Sequence, residues 1–164
     1  MPLRRALKQQ LASLGKTYSL AMVDVNHFKK LNDNYGHDVG DEVLKMLAAH
    51  LLSIEGGGKA YRYGGEEFTI VFAGKDASIA FVYLDALRNK IASKPFIVRN
   101  KKRPKEKSAK KPTKSANTQK LNVTVSIGVA ENQVKYNSTQ DIMRSADNAL
   151  YKAKKKGRNR VEVE

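Results

Sequence analysis

Residues 62–68, with the sequence RYGGEEF, set two glycines and two acids between segments rich in aromatic and β-branched residues. Paired glycines supply the positive φ angles that the turns of β-hairpins require. The segment therefore predicts a hairpin with Glu66 and Glu67 at or beside its turn. Taken alone, it is explained more simply as a solvent-facing turn that carries acids for solubility.

A second signal upstream changes that balance. Within residues 20–44, an apolar run ends abruptly in Asp24 and is followed by a dense polar loop. Sheets of α/β proteins place their chemistry at the carboxyl ends of strands. Neighbouring strands could therefore bring Asp24 and Glu66 within a few ångströms of one ion. Ligands that are all oxygen suit magnesium or manganese rather than zinc.

Both segments resemble the signature of the GGDEF family, the diguanylate cyclases. Ordered matches at family spacing run through most of the chain and are very improbable by chance. They cover residues 4–7, 24–29, 32–33, 36–37, 40–41, 62–68, 123–129, 146–147 and 151–159.

The expected fold is α/β (α+β), with a central mixed, largely antiparallel sheet of about five strands flanked by helices. It is nucleotidyl-cyclase or palm-like, with a β-hairpin that carries the GGEEF motif. Apolar periodicity and breaker residues predict the elements. Helices are predicted at 3–14, 27–34, 43–52, 77–93 and 139–156, and strands at 18–25, 61–63, 68–72, 96–99, 121–130 and 161–163.

Composition agrees with one domain over residues 1–164. The absence of cysteine excludes a disulfide framework and a thiolate zinc site. We find no signal peptide and no apolar run near the roughly 18 to 20 residues that span a bilayer, so we expect a cytoplasmic location. Because the family's usual Asp-x-Leu-Thr-Gly is missing at the start, we expect a fragment of a longer protein. Its missing amino-terminal part would carry a sensory or receiver domain and could tether the protein to a membrane.

The stretch 99–120 breaks the pattern, with ten Lys or Arg residues, one acid and two prolines. It contributes +9 of the net charge of +15. We predict a disordered basic loop over about 100–119, inserted between two strands. Such a run can contact nucleic acid or an anionic membrane. A solvated loop is favoured, because no aromatic residue between the lysines could stack on bases.

The resemblance implies a metal site built from Asp24, Glu66 and the backbone carbonyl of Val25. Glu67 lies close to the metals in the family, where it binds a second ion or orients the nucleophile. We expect two Mg²⁺ (or Mn²⁺) ions per active half-site. Asp24, Lys29, Glu66 and Glu67 are the predicted catalytic residues.

The same resemblance implies the contacts to GTP. The backbone amides of His27 and Phe28, at a helix start, and the side chain of Lys29 would meet the triphosphate. Lys154 and Arg158 would hold the terminal phosphates, although a solvated basic helix end explains Lys154 almost as well. Gly64 and Gly65 complete this part of the predicted site, next to the acids.

Asn32 and Asp41 align with the residues that read the base. A carboxylate accepts from the donors on the Watson–Crick edge of guanine, and an amide serves its acceptors. Adenine lacks this pair of donors, so Asp41 favours GTP over ATP. An acid near a helix start also interacts favourably with the helix dipole, and Asp41 could serve both purposes.

Two departures from the family pattern stand out. Asn26 stands where many relatives have an Asp. If that Asp helps to deprotonate the 3′-hydroxyl, the replacement would weaken activity. If the Asp only organises the loop, Asn suffices. Glu55 and Gly58 occupy the places of the Arg and Asp that bind inhibitory product. The inhibitory product site is therefore predicted to be absent.

The implied reaction is the condensation of two GTP molecules into cyclic di-GMP with release of two pyrophosphates. One domain presents one GTP, so catalysis requires a homodimer. Two alternatives stay open at this point. One is a catalytically weak or inactive domain that acts as a GTP-binding regulatory module, and the other is an adaptor that binds nucleic acid or membrane through the basic loop.

Overall fold

The structure, a computed structural model, describes residues 1–99, 118–133, 135–136 and 138–164. These ranges contain helices and strands in an interleaved order. The helices are α1 (Arg4–Ser13), α2 (Phe28–Tyr35), α3 (His37–Leu52), α4 (Ala77–Ala92) and α5 (Thr139–Lys155). The strands are β1 (Tyr18–Val25), β2 (Lys59–Gly64), β3 (Glu67–Ala73), β4 (Phe96–Arg99), β5 (Thr118–Leu121), β6 (Val125–Glu131) and β7 (Val161–Val163).

The central sheet has five strands in the order β2-β3-β1-β6-β7. The pairs β2–β3, β3–β1 and β1–β6 are antiparallel, and β7 lies parallel to β6. Every residue of β1 is buried, as expected for a central strand that is covered on both faces. The predicted fold class, a mixed and largely antiparallel sheet of about five strands with helices, is confirmed.

The two faces of the sheet are covered by different helices. Leu20 and Met22 of β1 face a core that includes residues of α1 and α5, whereas Ala21 and Val23 face a larger core with α2, α3 and α4. Because side chains alternate along a strand, Asp24 lies on the same face as Met22. The last charged residue of β1 therefore points to the side of the sheet that α5 covers.

One predicted strand is divided in the structure. Residues 121–130 were predicted as a single strand, but β5 ends at Leu121 and β6 begins at Val125. β5 pairs with β4 in a separate two-stranded sheet, and β6 pairs with β1. The chain changes sheets between them while Val123 stays buried, which explains why the sequence reads as one continuous apolar strand.

Two boundaries also differ from the predictions. α3 begins at His37 rather than near Val43, because its polar first turns lack the apolar periodicity used to find it. The predicted basic loop over 100–119 lies outside the described residues except for its last two, which belong to β5. No helix in the described ranges is both long enough and apolar enough to cross a bilayer.

Candidate active site

The glycine–acid segment forms the turn between β2 and β3, as predicted. Gly64 pairs with Glu67 across the hairpin, and Gly65 and Glu66 are the two turn residues. Gly65 has φ of +42°, which favours glycine at the first central position of a two-residue hairpin turn. Both acids therefore sit at the turn end of the hairpin.

The register of β1 against β3 brings Asp24 directly opposite Glu67. Side chains opposite each other in an antiparallel pair lie on the same face, close together. Burial raises the pKa of the Glu66 carboxyl, the charges of Asp24 and Glu67 raise it further, and Lys154 opposes the rise. Three predicted site acids thus share one electrostatic environment.

A lysine from α5 reaches into this group. The Nζ of Lys154 lies 3.0 Å from the Oδ2 of Asp24, and the Asp24 side chain is only 10% exposed. A carboxylate this buried requires a partner. The structure therefore places a cationic nitrogen on the predicted metal ligand, at the carboxyl end of β1.

The donors available here suit a hard divalent cation. No three His, Cys, Asp or Glu side chains of the described residues converge as a ready-made metal cluster. Asp24, Glu66 and the carbonyl of Val25 would supply oxygen atoms. The contact of the Lys154 ammonium with Asp24 shows that a cation can be accommodated at this carboxylate. Mg²⁺ is typically held by one or two carboxylates and several waters, so these residues fit it.

The loop after β1 is tied to β6 through Asn26. Its backbone N–H donates to the carbonyl of Thr124 (3.0 Å) and its Nδ2 donates to the Thr124 hydroxyl (2.9 Å). The Ser126 hydroxyl donates to Asn26 Oδ1 (2.7 Å). The amide thus uses both ends of its side chain to hold the loop.

The next residues lead into α2. His27 is the N-cap and has φ of +58° and ψ of 29°, in the left-handed region, where few residues other than glycine are found. Phe28 is buried and Lys29 is exposed. The chain therefore turns sharply between Asp24 and α2, and leaves Lys29 open to solvent.

Asn32 and the start of α3 form the predicted base-binding end. A Cβ on Gly40 would lie 1.9 Å from Asn32 Oδ1 and 3.2 Å from Phe28 Cζ. A side chain at position 40 would therefore force the Asn32 amide to move. Asn32 Oδ1 is buried without a hydrogen-bond partner, and Asp41, next to Gly40, is exposed. This end offers an unused acceptor beside an open carboxylate.

Arg158 lies beyond the end of α5 in a left-handed conformation, with φ of +62°. Its backbone N–H donates to the carbonyl of Ala153 (2.9 Å), which fixes this turn after Gly157. The side chain is exposed. Of the two predicted phosphate ligands on this side, Lys154 contacts a site acid and Arg158 remains open to solvent.

One residue with a role at the turn was missed. The guanidinium of Arg62 donates to the carbonyl of Gly65 through Nε (3.2 Å) and Nη2 (2.8 Å). Its backbone N–H donates to the carbonyl of Pro2 (2.8 Å). Arg62 was part of the recognised motif, but no pattern in the sequence indicated that its side chain folds back onto the turn.

Apolar side chains pack against Gly58 in the region of the predicted-absent product site. A Cβ on Gly58 would lie 2.8 Å from Phe72 Cε1 and 2.9 Å from Ile54 Cγ2. Glu55 is exposed. A larger residue at position 58 would require these neighbours to move.

Comparisons with known proteins show the family of this chain. The family model described as diguanylate cyclase, GGDEF domain, matches residues 2–160. Diguanylate cyclase VdcA of Vibrio cholerae is 37% identical over 162 residues, which cover 96% of this chain and 43% of that protein. The chain spans less than half the length of the curated relatives it matches.

Solved structures give the same result. The coiled coil and GGDEF domain of DgcB from Caulobacter crescentus, in complex with c-di-GMP, matches with a TM-score of 0.75 and 31% identity, over 98% of this chain and 75% of that one. Diguanylate cyclase SiaD from Pseudomonas aeruginosa, in complex with its activator SiaC, matches with a TM-score of 0.81 and 30% identity, over all of this chain (100%) and 59% of that one. This chain belongs to the GGDEF family of diguanylate cyclase domains.

Proposed function

We propose that this domain is a diguanylate cyclase, which condenses two GTP molecules into cyclic di-GMP and two pyrophosphates. The observation that carries the proposal is the placement of Asp24 opposite Glu67, within electrostatic reach of Glu66 at the GGEEF turn, with the Lys154 ammonium on Asp24. Family membership and the c-di-GMP complex of the DgcB domain support the same chemistry.

At the carboxylate end, Asp24, Glu66 and the Val25 carbonyl would hold Mg²⁺ or Mn²⁺, with Glu67 close enough to serve a second ion. When bound, the metal neutralises charge on the phosphate oxygens and favours loss of the proton from the attacking hydroxyl. The residues contribute position and charge. Asn26 would organise the loop through its hydrogen bonds to Thr124 and Ser126, the role in which Asn suffices in place of Asp.

The triphosphate would lie along the loop that follows β1. The backbone amides at His27 and Phe28, near the amino-terminal end of α2, are suited to an anion. Lys29 and Arg158 are exposed cations that would hold phosphate oxygens, and Lys154 would join them. The small residues Gly64 and Gly65 let the phosphates approach the acids closely.

The base would be read between α2 and α3. Asn32 Oδ1 is buried and lacks a partner, so a ligand donor there would satisfy it. Asp41 would accept from the two adjacent donors of guanine. Adenine lacks this pair of donors and would leave the Asp41 carboxylate without its partners, which costs free energy and is the physical basis of the preference for guanine over adenine.

Chemistry requires two protomers related by a two-fold axis. The 3′-oxygen of each GTP attacks the α-phosphorus of the other, the bond from that phosphorus to the oxygen that bridges the α- and β-phosphates breaks, and the hydroxyl proton passes to solvent. Two such steps release two pyrophosphates. A homodimer is therefore the catalytic unit, and the reaction belongs in the cytoplasm, where GTP is available.

Product inhibition through the family's usual site is proposed to be absent. The crowding of Gly58 by Phe72 and Ile54 supports this, because an Asp side chain would not fit there without rearrangement. Micromolar inhibition by cyclic di-GMP that maps to residues 55–58 would refute it.

Turnover of GTP with Mg²⁺ or Mn²⁺ at high protein concentration, with products separated by chromatography, tests the proposal. Cyclic di-GMP from the wild type and none from Glu66→Ala is the expected result. GTP binding without product, even after fusion to a dimerising helix, would instead favour a GTP-binding regulatory module. That alternative is disfavoured because every predicted metal ligand is retained.

A further inference from the structure

We propose that Lys154 is a positioning residue that occupies the cation position of the metal-free site and leaves it for the triphosphate when metal binds. The inference rests on the proposed function and adds a second role to a predicted phosphate ligand. It follows from the contact between Lys154 Nζ and Asp24 Oδ2 at 3.0 Å.

Burial explains why Asp24 needs this partner. Its side chain is 10% exposed, while that of Lys154 is 35% exposed. Glu67 lies opposite it in the neighbouring strand, so like charge surrounds it. No other ion pair to Asp24 is found among the described residues. Without Lys154, the metal-free site would hold a buried carboxylate with no compensating charge, which is strongly unfavourable.

The other basic residues near the end of α5 differ from Lys154. Lys152 pairs with Glu164 at 2.7 Å and Lys156 pairs with Glu162 at 2.6 Å, and the side chains of both lysines are at least half exposed. Lys154 follows the buried Ala153 and points toward the sheet. Its contact with Asp24 is therefore a feature of the site rather than of a solvated helix end.

Competition follows from the geometry. Lys154 contacts Oδ2 of Asp24, so a divalent ion bound through this oxygen would take the place of the ammonium, and an ion at the other oxygen would be repelled by its positive charge. The released ammonium remains next to the place where the phosphates of GTP would lie. Removal of its charge should thus strengthen metal binding in the absence of nucleotide and weaken nucleotide binding.

Mn²⁺ titration calorimetry on the full chain tests this, with and without a non-hydrolysable GTP analogue. For Lys154→Met without nucleotide, we expect Mn²⁺ affinity to rise about five- to tenfold, the size of a typical coupling between two ligands. Affinity for the analogue in the presence of Mn²⁺ should fall by about tenfold, as for loss of a charged hydrogen bond. Lys152→Met, on the same helix but paired at the surface, should change neither.

A thermal melt adds a readout that does not depend on turnover. Metal-free Lys154→Met should melt at a lower temperature than wild type, and Mn²⁺ should raise its melting temperature by more than it raises that of wild type. If Lys154→Met does not fold, Lys154→Gln carries the same test. Lys154→Arg should keep the metal-free stability, because it keeps the positive charge.

Unchanged or weaker Mn²⁺ affinity in Lys154→Met would overturn the inference. The outcome is separable from that of the proposed function. Tighter Mn²⁺ binding in Lys154→Met, together with no cyclic di-GMP from the wild type even when it is fused to a dimerising helix, would uphold the role of Lys154 and refute the cyclase. Normal cyclic di-GMP formation by the wild type, with unchanged Mn²⁺ affinity in Lys154→Met, would uphold the cyclase and refute the role of Lys154.

Discussion

The two ends of the site are prepared for their ligands in opposite ways. At the carboxylate end, Asp24 is already neutralised by Lys154, and the turn is held by Arg62. At the base end, Asn32 presents a buried oxygen without a partner, beside an exposed Asp41. In the proposed function, the first end would exchange an internal cation for a metal ion, whereas the second end has an acceptor that a ligand donor could satisfy.

The difference follows from the cost of each group. A buried charge without a partner is far more costly than a buried amide oxygen without one. A site rich in carboxylates therefore needs a substitute cation for its metal-free state. An amide acceptor can stay unpaired at modest cost, which a ligand donor would offset.

The largest effect is expected for a substitution among the predicted metal ligands at the carboxylate end. Glu66→Gln removes a predicted metal ligand while it preserves the shape of the turn. We expect cyclic di-GMP formation to fall by about a thousandfold or more, since metal activation contributes several kcal/mol to such reactions. Initial rates at saturating Mg²⁺ measure this. Glu55→Gln, an exposed carboxylate outside the site, serves as the control and should retain full activity.

A second substitution alters the predicted base-binding end and leaves Asp24, Glu66 and Glu67 unchanged. Gly40→Ala would drive a methyl group into Asn32, because the new Cβ would lie 1.9 Å from its Oδ1. We expect KM for GTP to rise by about tenfold or more with a smaller change in kcat, as for disruption of one ligand contact. Gly15→Ala, where a Cβ has nothing within 4 Å, is the matched control. Equal KM values for the two variants would remove Asn32 from the base site.

The turn itself can be loosened. Arg62→Ala removes both hydrogen bonds to the Gly65 carbonyl but keeps the backbone bond to Pro2. We expect kcat to fall by about five- to tenfold, the equivalent of roughly 1 kcal/mol for one net hydrogen bond. Arg62→Lys should lose less, because it retains one donor. Identical kcat values for Arg62→Ala and wild type would show that the turn holds its shape without the guanidinium.

The smallest effect concerns pH and the metal-free state. The pKa of Glu66 is raised in the folded protein, first by burial and then by Asp24 and Glu67. Its ionised form therefore destabilises the fold at neutral pH, and this destabilisation disappears as pH falls through the raised pKa. Metal-free Glu66→Gln should melt a few degrees above wild type near neutral pH, and the difference should vanish in acid. Melting curves in a chelator over a pH series measure it. A difference that grows in acid would contradict the sign.

The fold class and the neighbourhood of the acids were predictable because they depend on local patterns. The buried strand that ends in Asp24 and the glycine turn before Glu66 are readable over a few residues, and the family motif links them. The division of 121–130 into β5 and β6 was not, because two strands of different sheets can form one continuous apolar run.

The contacts that organise the site were less accessible. Asn26 bonds to Thr124 and Ser126, about a hundred residues away, and Lys154 reaches Asp24 from the last helix. Neither pairing has a local signature. Lys152 and Lys156 are the same residue type as Lys154 and lie close to it in sequence, but they pair with other acids. Such contacts depend on how α5 and β6 pack against β1.

The most direct test of the two-ended site is nucleotide selection under one metal condition. We would measure kcat/KM for cyclic dinucleotide formation from GTP, ITP and ATP in saturating Mn²⁺, with the metal dependence recorded for each. If the carboxylate end handles charge and the base end reads guanine, GTP should be best, ITP weaker for lack of its 2-amino donor, and ATP inactive, with similar metal dependence for GTP and ITP. Equal use of ATP and GTP would contradict the roles of Asn32 and Asp41 and the division of labour itself.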